Sequence, residues 1–170
     1  MSQHCLHHTT RPIAIVRAVE RPTGAETAME RIVVGVDGSR TSRQALRWAV
    51  EEARLRQASL EVVLAWSMPY VGGYPYVGAG FEPGRLEADI RKTLDEVVDG
   101  VDPSGLPQPI ERIAYLGNAA SGIIATAKGA ALVVIGSRGL GGFSGLLLGS
   151  VGHHVAHHAP CPVVIIPPGD

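Results

Sequence analysis

Lysine is nearly absent from this chain of 170 residues: Lys92 and Lys128 are the only two, and the remaining basic residues are scattered arginines. With a formal net charge of −1 there is no broad basic footprint of the kind that binds nucleic-acid phosphates or an anionic membrane surface. Cysteine is equally scarce. Cys5 and Cys161 lie far apart in dissimilar contexts, so no disulfide framework is implied and a reducing cytoplasm is the default compartment. No apolar run approaches the length of a spanning helix, and the stretch from Met1 to His8 lacks the basic-then-apolar pattern of a secretory signal. Aromatic residues make up 5% of the chain against 45% hydrophobic residues overall, which points to a small aliphatic core. The length suits one domain with a sizeable core and is too short for two comfortable ones.

What the chain does have in quantity is glycine, concentrated after one apolar run. Ala131-Leu132-Val133-Val134-Ile135 reads as a buried strand, and it empties into Gly136-Ser137-Arg138-Gly139-Leu140-Gly141-Gly142, continuing to Gly149-Ser150 and a helical pattern. A loop of this kind exposes backbone N–H groups with no side chains in the way. The helix start adds partial positive charge, so the arrangement suits a phosphate group. Gly136, Gly139 and Gly149 either adopt positive φ or let a phosphate approach the backbone closely, and Ser150 offers a hydroxyl and a free N–H.

Spacing narrows this further. Gly136, two residues, Gly139, nine residues, then Gly149-Ser150 resembles the phosphate-binding signature of the universal stress protein family. Val33-Val34-Gly35-Val36-Asp37-Gly38-Ser39, Ser42-Arg43-Gln44-Ala45-Leu46 and His158-Ala159-Pro160-Cys161-Pro162-Val163-Val164 resemble other blocks of that family in the same order. The resemblance runs from about Arg31 to Pro167. It implies an open, doubly wound, parallel five-stranded α/β sheet of strand order 3-2-1-4-5 with helices on both faces. It also implies an adenine nucleotide, ATP with or without Mg²⁺, as bound ligand. The site residues it implies are Gly35, Val36, Asp37, Ala65, Gly136, Ser137, Arg138, Gly139, Gly149, Ser150 and Val151. Asp37 is assigned to the adenosine, and Ala65 to the family position whose backbone meets the adenine edge.

The punctuation along the chain agrees with alternating strands and helices. Residues 32–36, 60–66, 109–115, 132–135 and 163–166 read as strands; 41–57, 85–99, 119–128 and a segment through Val151 and Val155 read as helices. Thr41 with Gln44 forms a capping-box pattern. The Gly, Pro and Tyr content of 67–84 reads as one long loop. Such alternation favours a parallel sheet with right-handed crossovers, and its ligands sit beyond the carboxyl ends of the strands where the winding reverses. Residues 1–28 read as a flexible extension ahead of a nucleotide-binding domain at 29–168, with Ile13-Ala14-Ile15-Val16 an optional edge strand. No internal repeat is read.

Absences also separate binding from catalysis. No Lys-Ser/Thr pair follows a G-x-x-x-x-G, and no G-x-G-x-x-G follows the first strand, so neither Walker nor dinucleotide chemistry is indicated. From Gly129 to Gly169 there is no Asp or Glu. Phosphoryl transfer usually needs a carboxylate near the γ-phosphate, and Asp37 is the only evident candidate. The expectation is a non-enzymatic ATP-binding protein of stress-response or regulatory type, a homodimer through the apolar edge strand Val163–Ile166, with no metal site, nucleic acid or membrane partner. A slow ATP hydrolase or adenylyl-transferring enzyme on the same scaffold, and a dimeric interaction module with an empty site, are the rivals. His153, His154, His157 and His158 have the i, i+4 spacing of zinc ligands but no nearby Cys or carboxylate to complete a shell. Trp66 and Cys161 read as packing residues rather than a base-stacking ring and a nucleophile.

Overall fold

The computed structural model describes residues 11–16, 29–67, 70–71, 74–75, 83–140 and 148–168. Strand β1 (Ile13–Ile15) is followed by β2 (Arg31–Val36), α1 (Arg40–Arg56) and β3 (Ser59–Trp66). Two short strands, β4 (Tyr70–Val71) and β5 (Tyr74–Pro75), pair antiparallel with each other ahead of α2 (Pro83–Val98). The chain continues through β6 (Glu111–Leu116), α3 (Ala119–Thr126), β7 (Leu132–Gly136), α4 (Ser150–His158) and β8 (Val163–Ile166).

One sheet of six strands forms the centre, in the order β1-β8-β7-β2-β3-β6. This corrects the five-stranded expectation. The five parallel strands run β6-β3-β2-β7-β8, which is the expected order of neighbours for those five, and β1 is added antiparallel on the β8 side. The edge strand Val163–Ile166, expected to pair with a second copy of the chain, is here paired with the chain's own Ile13–Ile15, the optional edge strand of the sequence reading. Residues 1–28 are not wholly a loose extension, since Ile13–Ile15 sits in the main sheet; the other residues of that stretch, apart from Arg11, Pro12 and Val16, lie outside the described residues. The expected single loop at 67–84 contains β4 and β5.

The period of two along the strands sorts the core into layers. Ile32, Val34 and Val36 of β2, Leu60, Val62 and Leu64 of β3, and Val134 of β7 pack with Leu46, Ala49, Val50 and Ala53 of α1 and Leu94 and Val97 of α2. Val33, Val63, Val133, Ile135, Val163 and Ile165 point the other way, onto Ile123 of α3 and Val155 of α4. Strands buried on both faces explain the unbroken apolar runs in the sequence.

Caps set the helix starts. Ser39, not the Thr41–Gln44 pair, caps α1: its hydroxyl accepts from the Ser42 amide at 3.2 Å. Asn118 does the same for α3, accepting from the Ser121 amide at 3.2 Å. Gly149 precedes α4 in an extended conformation with no side-chain cap, which leaves the first turn of that helix open. No helix among the described residues is long and apolar enough to cross a membrane.

Candidate functional site

β2 and β7 are hydrogen-bonded neighbours, and the chain leaves them in opposite directions, one to α1 and the other to α4. A cleft therefore opens beyond their carboxyl ends. It contains a cavity of about 300 Å³, at the lower end of the range usual for small-molecule sites. Its lining includes all eleven residues singled out from the sequence: Gly35 and Val36 from β2 with Asp37 just beyond it, Ala65 from β3, Gly136 at the end of β7 with Ser137 to Gly139 after it, and Gly149 to Val151 at the start of α4. Sequence reading missed Val63, Ser42, Ala119, Ile123 and Leu140, which also line it. Val63 was within reach, because it lies two residues before Ala65 on the same face of β3. Ile123 and Ala119 depend on where α3 packs, which no local pattern gives. Trp66 is not among the lining residues.

Asp37 is the electrostatic centre of one wall. Its Oδ1 accepts from the Ser39 amide at 3.0 Å, and its Oδ2 accepts from the Leu140 amide at 2.8 Å. The second bond joins segments 103 residues apart and closes the loop after β7 against the end of β2. Ser42 supports the turn from below: its hydroxyl donates to the Ser39 carbonyl at 3.0 Å and accepts from the Asp37 amide at 3.3 Å. Burial opposes ionisation of Asp37, but the bonds from Ser39, Leu140 and Ser42 together outweigh it and hold the carboxyl below its ordinary value of 3.8.

A depressed folded value stabilises the fold above the unfolded value, and that contribution is lost as pH falls through the folded value. Wild-type protein should thus lose more melting temperature than Asp37→Asn as the pH is lowered below 3.8. Thermal melts of the two at stepped pH measure the difference. Superimposable slopes would remove Asp37 from this role.

The opposite wall is made of amides, though fewer than the glycine content suggests. The Ser137 amide donates to the Ile166 carbonyl at 2.8 Å, and the Gly149 amide donates to the Ser137 carbonyl at 2.8 Å. Those two donors, and that of Leu140, are used within the chain. No described residue accepts from the amides of Arg138 and Gly139, nor from those of Ser150 and Val151 in the open first turn of α4. The Ser137 hydroxyl, on a residue only 4% exposed, also has no partner among the described residues. Buried polar groups are rarely left this way without a ligand or water to meet them. Arg138 supplies the positive side chain of this wall. Residues 141–147 of the glycine run lie outside the described residues.

None of the three expected glycine positions adopts positive φ, and at two of them close approach is what calls for glycine. A Cβ on Gly136 would meet the backbone of Thr41 and Ser42 at 3.1–3.2 Å, so glycine here lets the start of α1 sit on the end of β7. A Cβ on Gly139 would collide with Asp37 Oδ2. Gly149 has ordinary space around it.

On the outer face of α4, His153 and His157 have ring centroids 4.5 Å apart, and His154 stacks on His158 at 4.3 Å. Among the described residues no group of three or more His, Cys, Asp or Glu could hold a metal ion. Cys161 is buried, and desolvation pushes its thiol up to about 11, which leaves it unreactive at neutral pH.

Comparison with known proteins agrees with this geometry. A universal stress protein of Mycolicibacterium smegmatis is 32% identical over 167 residues, covering 98% of this chain and 55% of that protein. The chain spans about half the length of the curated relatives it matches. Among solved structures, a universal stress protein in complex with cAMP is 29% identical with a TM-score of 0.62, covering 83% of this chain and 98% of the other. The universal stress protein from Archaeoglobus fulgidus in complex with dAMP is 26% identical with a TM-score of 0.56, covering 82% and 98%. Residues 29–167, which hold β2 to β8 and every lining residue of the cavity, match the model of the Universal stress protein family, and the chain belongs to that family.

Proposed function

We propose that the cavity binds an adenine nucleotide, ATP in the first instance, and that occupancy rather than turnover is what the protein uses in a stress-response or regulatory role in the cytoplasm. The observation that carries this reading is the convergence of unpartnered donors: the amides of Arg138, Gly139, Ser150 and Val151, with the buried Ser137 hydroxyl, all border one cavity. Each charge-assisted bond from such donors to a phosphate contributes on the order of 1.5–3 kcal/mol. After the cost of association, three or four give an affinity of roughly micromolar order. The Asp37 and Ala65 wall is left for the nucleoside. Two structural relatives are complexes with cAMP and dAMP, which supports the adenine nucleotide as a class.

The same geometry disfavours the hydrolase rival. Asp37 is the only carboxylate among the described lining residues, and both of its oxygens already accept backbone amides. A group so engaged is poorly free to hold Mg²⁺ or to orient an attacking water.

Mass spectrometry of the small molecules released by denaturing freshly purified protein tests the ligand class directly, followed by calorimetric titration with ATP, AMP and cAMP. An adenine nucleotide in the supernatant and ATP binding without phosphate or AMP release over hours is the expected outcome. No nucleotide and no heat on titration would refute the site. Release well above background, lost in Asp37→Ala, would establish the enzyme instead.

A further inference from the structure

The outward face of α4 is made of imidazoles. His153, His154, His157 and His158 are all exposed, while Val155 and Ala156 turn inward onto the cluster that contains Ile123 of α3. The helix has nine residues, and Ser150 brings its one other hydrogen-bonding side chain. Side chains four apart lie over one another along a helix. Two imidazole pairs result, His153 with His157 and His154 with His158.

The His154–His158 pair is organised by the backbone. Nδ1 of His158 lies 2.9 Å from the carbonyl oxygen of His154, one turn back. A carbonyl can only accept, so Nδ1 carries the proton and donates. In the neutral ring the lone pair is then on Nε2. Metal-bound imidazoles are characteristically held in this way, one nitrogen donating to a carbonyl or carboxylate and the other on the ion. The bond also orients the ring, and His154 stacks on it with centroids 4.3 Å apart and planes 22° from parallel. Metal–nitrogen bonds of about 2.0–2.1 Å reach two rings at this separation after a turn of the His154 side chain. In the other pair the centroids are 4.5 Å apart and the rings are tilted by 42°.

The donor set narrows the ion. Neither α3 nor α4 contains Asp or Glu, and no group of three or more candidate ligands occurs among the described residues. A closed tetrahedral shell, as in structural zinc sites, is therefore not formed. Two cis nitrogens with water in the remaining positions suit tetragonal Cu²⁺ or Ni²⁺, and copper binds such donors most tightly.

We propose, against the expectation of no metal site, that His154 and His158 form an open two-imidazole site for a divalent late transition metal, Cu²⁺ ahead of Ni²⁺ and Zn²⁺. The ion is held by Nε2 of His158 and a ring nitrogen of His154, and it clamps the last turn of α4. That helix starts at Gly149 without a side-chain cap and is too short to be stable alone, so the clamp stabilises the folded chain. Ser150 and Val151, at the other end of α4, line the cavity, and the inference does not depend on what that cavity binds.

Calorimetric titration of the chelator-treated full chain with Ni²⁺ is the test. It is run with His4, His7 and His8 replaced by alanine, so that the other histidine-rich stretch does not contribute. One equivalent should bind, and His154→Ala or His158→Ala should each weaken it at least about tenfold, the lower end of what even an outer-shell partner is worth. His158→Phe keeps a ring against His154 without its nitrogens and should lose as much. His153→Ala and His157→Ala should leave the affinity unchanged, and Cu²⁺ should bind more tightly than Ni²⁺. Ni²⁺ should also raise the melting temperature in proportion to its saturation of the site, and should not do so in the His154 and His158 variants. The proposal is overturned by the absence of binding, by binding that survives His154→Ala with His158→Ala, or by equal loss in His153→Ala or His157→Ala.

Discussion

Gly139→Val is expected to weaken ATP binding at least tenfold, about 1.4 kcal/mol, with the melting temperature of the ligand-free protein close to that of the parent. Gly139 does not have positive φ, so the backbone accepts valine and the effect is steric. Its first side-chain atom lands on Asp37 Oδ2, the oxygen that holds the Leu140 amide. The substitution therefore moves the carboxylate, frees the loop and fills the approach to the amides of Arg138 and Gly139 in one step. Little stability is lost, because Leu140 is 78% exposed and the bond it makes is at the surface. Calorimetry gives the affinity. Gly139→Ala should show most of the same loss, since Cβ alone makes the collision.

A double-mutant cycle decides whether the loss runs through Asp37. With Asp37→Ala the obstacle is gone, so adding Gly139→Val to it should cost much less than it does alone. Strict additivity would mean that Gly139 acts on the ligand alone. Unchanged affinity in the single variant would remove the loop after β7 from the binding site.

The cavity was legible in the sequence because its walls are made of backbone, and backbone geometry is announced by glycine. Gly136, Gly139 and Gly149 sit where a strand ends and a helix begins, and that much is local. The bond from Leu140 to Asp37 is not local. It depends on β2 and β7 being neighbours in the sheet, and it consumes an amide that glycine content alone would leave open. The same holds for the Ser137 and Gly149 amides, which are satisfied by β8 and by the loop itself. Glycine counts overstate the donors available; the topology decides which remain.

The sheet divides similarly. Runs such as Ile32–Val36 are apolar on both faces, and only a strand with helices on either side buries them in that way. Ile13–Ile15 is three residues long with no flanking helix pattern, so nothing local distinguishes it from a hydrophobic patch in a loose segment. What makes it a strand is the exposed edge of β8, about 150 residues away in the chain. Helix α1 shows the limit at short range: Thr41–Gln44 has the pattern of a cap, but Ser39 lies nearer the turn set by Asp37 and captures the Ser42 amide first.

Glu61→Ala should lower stability by about 2 kcal/mol without changing nucleotide affinity. Glu61 lies on β3 and is 7% exposed, near the amino end of the sheet and away from the cavity. Both of its carboxylate oxygens accept from Arg31 Nη1 at 2.8 Å, while Arg31 Nη2 donates to the Lys128 carbonyl at 2.6 Å. Removing one member of a buried pair costs roughly 3–5 kcal/mol because the other charge is stranded. Here Arg31 keeps 29% of its side chain in water and retains Lys128, so the cost falls below that range, to about 2 kcal/mol. For a chain of this size that corresponds to a fall in melting temperature of roughly 4–8 °C. Arg31→Met with Glu61→Leu should recover most of the loss, since an apolar pair of similar volume strands no charge. A single variant as stable as the parent would show that water reaches Arg31 freely. A single variant with weakened ATP binding would show that the two ends of β3 are coupled, against the view that the cavity depends only on what lies beyond the carboxyl ends of the strands.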